Sequence, residues 1–204
     1  MSATGNYCFI YDEEAVRKFA AMFVPGAGAA TATATATGDN VKFMYLSSRR
    51  KYADKKGTSH KGTQVMNTSA GIRSDFPIGK LLSKVKSNLH ASIASKPFIE
   101  LDIDTKDLEV VARIRRAIQP FLEWAICTIE THGGYHVIFK IDKEPRGRMY
   151  REFNSDKWVY AGTARDGRSI VKDYVDVRSD PSPPVPGTYQ AGFPVKFLDD
   201  FWEV

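Results

Sequence analysis

Asp102 and Asp104 stand at positions i and i+2 of the apolar run FIELDID. On a strand that spacing points both carboxylates from one sheet face, about 7 Å apart, with Leu101 and Ile103 turned to the other. Two carboxylates so close repel each other, and burial raises that cost unless a cation sits between them. Mg²⁺ and Mn²⁺ suit such an oxygen pair, with phosphate oxygens and water completing the shell. Asp104 has a second role open to it, as cap of the helix expected next. His136 opens a strand after a glycine turn in THGGYHVIF, either as a hydrogen-bonded strand histidine or as a ligand-facing one. Asp176 lies in the apolar YVDVR. A lone carboxylate there is destabilising, so it calls for a cation, a metal or a surface position. The segment PVPGTYQAGFPV then reads as a Pro-Gly turn feeding a short strand.

The elements that must position these residues follow from pattern. Phe98 to Ile103 reads as a strand, and Thr105 or Asp107 caps a helix through about Gln119. Trp124 to Ile129 is a second strand, His132-Gly133-Gly134 the turn, and Tyr135 to Ile141 the returning partner. A final pair of strands falls near Tyr174–Val177 and Pro194–Phe197. Between them, Glu144 to Val171 is polar and its periodicity places no element. The layout predicts an α+β protein, an antiparallel sheet covered by helices on one face.

The N-terminal half is read more coarsely. Tyr7 to Tyr11 predicts a short strand, and Asp12 caps a helix to about Phe23, with Val16, Phe19, Ala20 and Phe23 on one face. The low-complexity tract Gly26 to Gly38 reads as a surface loop. Val41 to Ser47 predicts a strand leading into the basic SSRRKY and a polar loop. Pro77 to about Ser95 predicts an amphipathic helix with Leu81, Leu82, Val85 and Leu89 inward.

Charge is unevenly placed along the 204 residues, whose formal net charge is +5. From Val41 to Lys96 there are twelve Lys or Arg against Asp54 and Asp75 alone, and the rest of the chain is net acidic. A basic half of this kind fits a polyanion, DNA or RNA first, or else a solvated lysine-rich surface. The only cysteines, Cys8 and Cys127, are too few for a disulfide framework or a cysteine-built zinc site. With no ~20-residue apolar run and no signal-type N-terminus, the expectation is an intracellular protein without a membrane partner.

Taken in order, these motifs resemble the archaeo-eukaryotic primase superfamily, the primase-polymerase group. FIELDID is similar to its first motif, GGYHV to the second and VDVR to the third, and PGTYQAG is similar to the segment after the third aspartate in primase small subunits. The resemblance covers roughly Pro97 to Phe197. It implies a primase-polymerase catalytic fold: an RRM-like antiparallel sheet module at residues 97–204 with a smaller basic N-terminal α/β module at 1–96, together one catalytic domain. The implied activity is template-dependent nucleotidyl transfer with Mg²⁺ or Mn²⁺, using nucleoside triphosphates on DNA or RNA. Asp102, Asp104 and Asp176 would hold the metals. His136 would contact the nucleotide, with His132, Arg49, Arg50, Lys51 and Arg178 as further contacts.

The chain also departs from the family pattern. Glu130, Thr131, His132 and Gly133 stand where members often carry Ser and a basic residue, and Gln190 stands where they tend to have a histidine. No zinc-binding insertion is visible. These departures weigh against de novo priming. They also set up an alternative, a catalytically inactive primase-like subunit that binds nucleic acid beside a protein partner. Metal-dependent phosphodiester hydrolysis by the same carboxylates ranks last, since it leaves His136 and PGT unexplained.

Overall fold

The computed structural model describes residues 11–23, 41–53, 59–66, 88–93, 96–163, 169–190 and 192–203. The chain forms two compact units, Met1–Ala94 with Ser182–Lys196, and Ser95–Pro181 with Phe197–Val204. Among the described residues no helix is long and apolar enough to cross a membrane.

In the first unit, helix α1 (Glu13–Ala21) starts where Asp12 accepts the Ala15 N–H at 2.9 Å. Val16, Phe19 and Ala20 form its buried face and Phe23 follows them, its ring 5.0 Å from that of Phe19. Strands β1 (Val41–Ala53), β2 (Ser59–Met66) and β3 (Asn88–Ile93) make an antiparallel sheet in the order β2-β1-β3. Two expectations are corrected here. The strand does not stop at Ser47 but carries Arg49, Arg50 and Lys51, and the polar stretch read as a loop returns as β2. Asn88–Ile93, read as the end of a helix, is a strand in which Leu89, Ala91 and Ile93 are buried with period two. Pairing with Val41–Leu46 supplies the hydrogen bonds that override its helical spacing. The expected strand residues 7–10, the tract 26–38 and the first part of the expected helix, 77–87, lie outside the described residues.

The Pro186-Gly187 turn seats the start of α1. Tyr11 and Asp12 donate their N–H groups to the Gly187 carbonyl at 2.8 and 3.2 Å. Gly187 has φ +89°, and a Cβ there would lie 2.2 Å from the Asp12 carbonyl oxygen, so no other residue fits.

The second unit carries β4 (Phe98–Ile103), α2 (Leu108–Ile118), β5 (Ala125–Glu130), β6 (Tyr135–Lys140), α3 (Lys143–Phe153), β7 (Val159–Thr163), β8 (Ser169–Asp173) and β9 (Val175–Arg178). Its sheet runs β5-β6-β4-β9, each neighbour antiparallel, with a short strand Lys196–Phe197 outside β5. The chain therefore makes two interleaved βαβ units: β4-α2-β5 steps over β6, and β6-α3-β9 steps over β4. Asp107 caps α2, its Oδ1 accepting the N–H groups of Glu109 and Val110 at 3.0 Å each. Asp104 is thus not the cap. The unplaced stretch 144–171 holds most of α3 and the hairpin β7–β8. The two terminal strands do not pair with each other. β9 lies beside β4, while Lys196–Phe197 lies on the opposite edge.

The sequence alternation in β4 decides its two faces. Ile99, Leu101 and Ile103 join Val137, Phe139, Val175 and Val177 in a core with Val111, Ile114 and Ile118 of α2 and Met149 and Phe153 of α3. Each such side chain contributes roughly 2 kcal/mol by leaving water, which is ample to hold the sheet against the helices. That leaves Glu100 and Asp102 on the other face.

Candidate functional site

Three adjacent strands bring the motif residues into one row. In the β4–β6 ladder Asp102 is directly opposite His136, and in the β4–β9 ladder it is directly opposite Asp176. Residues opposite each other in an antiparallel pair share a face, so three positions far apart in sequence become lateral neighbours. One step along β4, Glu100 pairs with Arg178 of β9.

Glu100 has no exposed surface, and Asp102 and His136 are buried, whereas Asp176 is exposed. His136 Nδ1 lies 2.6 Å from Glu100 Oε1 and 3.4 Å from Asp102 Oδ1. The Arg178 guanidinium ion-pairs with Asp102 Oδ2 through one terminal nitrogen, and its Nε donates to Asp176 Oδ2 at 3.2 Å. Burial works against a charged His136, but the hydrogen bond to Glu100 and the fields of Asp102 and Glu100 outweigh it and raise the pKa. Burial raises the Asp102 pKa, opposed by His136 and Arg178 and reinforced by Glu100 and Asp104. With His136 charged, three carboxylates face two cations. The row keeps a negative excess, so it invites a further cation rather than an anion at its centre.

Asp104 lies one residue beyond the end of β4, exposed, with its N–H donated to the Tyr174 carbonyl at 2.9 Å. It therefore leaves the strand, but its charge still acts on Asp102. His132 is exposed in the β5–β6 turn. That turn closes through Thr131 N–H to the Gly134 carbonyl, 2.9 Å. Gly134 rests against the end of β4, so the turn and the Asp104 end of the strand are neighbours. Arg49, Arg50 and Lys51 belong to β1 in the first unit and are not part of this sheet. Glu100 was missed by sequence reasoning, although its signal was present: E-x-D-x-D continues the same alternation one step N-terminal to the aspartates.

Among the described residues no three His, Cys, Asp or Glu side chains converge as a ready metal site. The cation that joins Asp102 to Asp176 is the Arg178 guanidinium. The carboxylate oxygens of Asp102 and Asp176 are of the chemical kind that Mg²⁺ and Mn²⁺ take. No family model, curated protein or solved structure matches the chain.

Proposed function

We propose that the chain is a primase-polymerase-like nucleotidyltransferase that adds nucleotides from nucleoside triphosphates to DNA or RNA, with the β4-α2-β5-β6-α3-β9 unit as an RRM-like catalytic module. The observation that carries this reading is the register: Asp102 faces His136 on one side and Asp176 on the other, on the sheet face opposite the helices. An aspartate–histidine–aspartate row of this kind is costly to fold and has the layout that phosphoryl chemistry needs.

In this reading Asp102, Asp104 and Asp176 hold Mg²⁺ or Mn²⁺. When bound, the metal supplies acidification of a 3′ hydroxyl and neutralisation of the leaving pyrophosphate. The chain's own residues do the rest. His136 offers a ring nitrogen to the nucleotide, and His132 at the hairpin turn supplies the triphosphate contact that Glu130 and Thr131 do not. Arg178 balances Asp102 and Asp176 and would donate to a phosphate oxygen of the bound nucleotide. Arg49, Arg50 and Lys51 bind nucleic-acid phosphates from the basic unit.

The Arg178 bridge between Asp102 and Asp176 also favours a second reading, a non-catalytic primase-like subunit that binds nucleic acid beside a partner protein. Calorimetric titration of a non-hydrolysable nucleoside triphosphate with Mn²⁺, followed by primer-template extension, separates the two. Binding and extension that vanish in Asp102→Ala support the transferase. A folded wild type that binds nucleic acid in a salt-sensitive way but takes no nucleotide overturns it in favour of the second reading.

A further inference from the structure

Glu100 is a carboxylate with no solvent-exposed surface, and burying such a group without a partner is among the costliest things a fold can do. It is met by the Nδ1 of His136 at 2.6 Å. The contact runs diagonally across the ladder, since the residue directly opposite Glu100 is Ile138 and the one opposite His136 is Asp102. Asp102 approaches the same ring nitrogen from its own side, at 3.4 Å. A carboxylate accepts, so Nδ1 carries the proton and donates it. Both contacts engage one edge of the imidazole, and neither uses Nε2.

An unrestrained neutral imidazole flips about its outer bond and exchanges its proton between the two nitrogens, so it presents donor and acceptor in no fixed place. A buried carboxylate on Nδ1 removes that freedom, as outer carboxylates do for histidines that bind metals or carry catalysis.

We propose that Glu100 is a positioning residue, which by accepting the Nδ1–H turns the His136 imidazolium so that its Nε2–H is the donor offered to a phosphate oxygen of a nucleoside triphosphate. The phosphate contact rests on the nucleotidyltransferase reading. The fixed ring rests on the Glu100–His136 geometry alone.

Two measurements test it. A long-range ¹⁵N–¹H spectrum of the wild-type protein reads the ring directly. Nδ1 of His136 should carry a proton protected from exchange, and a neutral ring protonated only on Nε2 overturns the proposal. The second is Mn²⁺-dependent calorimetry with a non-hydrolysable nucleoside triphosphate on wild type, Glu100→Gln, Glu100→Ala, His136→Ala and the Glu100→Ala/His136→Ala double variant. Glu100→Gln keeps an acceptor and should bind within a few-fold of wild type. Glu100→Ala should bind roughly tenfold to a hundredfold more weakly, the scale of one lost charge-assisted hydrogen bond. The double variant should be about as weak as His136→Ala, because the positioning role is exerted through the ring.

Additive losses in the double variant overturn the positioning role while leaving the transferase reading intact. Failure of wild type to bind any nucleotide overturns that reading and the phosphate contact with it. Should Glu100→Ala not fold, Glu100→Gln decides. Binding retained with the Nδ1 proton in place supports the proposal, and binding unchanged after the ring proton has moved overturns it.

Discussion

Gly134 lies so tightly against Ile103 that a Cβ at residue 134 would stand 1.8 Å from the Ile103 carbonyl oxygen and 3.0 Å from the backbone nitrogen of Thr105. The turn between β5 and β6 therefore docks on the very residues where β4 delivers Asp102 and Asp104. Gly133, its neighbour in the same turn, has nothing within 4 Å of the equivalent position.

Gly134→Ala must push backbone away from backbone, which no rotamer change relieves. It should destabilise by about 3 kcal/mol, the upper range for overpacking. Gly133→Ala should stay within about 0.5 kcal/mol of wild type. Urea denaturation of the two variants checks this, and equal losses would mean that the turn does not dock on β4.

Asp107 and Asp104 separate capping from chemistry. Removing the Asp107 side chain strips two N–H groups of α2 of their acceptor, and Asp107→Ala should cost about 1 kcal/mol of stability. Asp104→Ala removes no cap and should leave stability near wild type while abolishing Mn²⁺-dependent nucleotide binding. A large loss of stability in Asp104→Ala would return that residue to a structural role.

The raised pKa of His136 makes stability depend on pH with a definite sign. Above about pH 6.5 the folded protein holds a proton that the unfolded chain gives up. The contribution is complete below that value and is lost as pH rises through the folded-state pKa. Asp102, whose pKa burial also raises, acts in the same direction from the ordinary carboxylate range upward. Denaturation midpoints measured from pH 6 to pH 9 should fall, and His136→Gln should flatten the part of the slope that begins near pH 6.5. A slope unchanged in that variant would place its origin elsewhere.

Arg178→Ala takes away the cation between Asp102 and Asp176. The loss should be on the order of 1–2 kcal/mol, less than for a fully buried pair, because the Arg178 side chain is 38% exposed. Added Mn²⁺ should then raise the melting temperature of the variant more than that of wild type, since binding to the folded state alone stabilises it. A variant indifferent to Mn²⁺ would show that the carboxylates do not take the metal even when vacated.

Much of the second unit was legible because its signals are local. FIELDID alternates with period two, the Gly-Gly turn marks its hairpin, and Asp107 precedes an amphipathic run. The errors arose where partners are distant. Asn88–Ile93 carries Leu89 at helical spacing from Val85 and Leu82, and only its ladder with Val41–Leu46 makes it a strand. β2 is polar enough to pass for a loop, since its strand character comes from pairing with β1. Glu100 stands within FIELDID, but its role shows only in the fold, because its partner lies 36 residues away on another strand. The lateral order of β6, β4 and β9 is likewise a property of the assembled sheet, which no spacing along the chain records.

That order has a consequence for folding. Along β4 every second residue is apolar and helix-facing, and the two between, Glu100 and Asp102, are matched to cations on neighbouring strands. Sliding β4 by one residue would turn both acids into the helix-packed layer and part them from His136 and Arg178 together. The acidic residues thus serve as an alignment key that penalises a one-residue slip of the central strand. A chain stripped of these charges for the sake of stability should lose its single strand alignment along with its site.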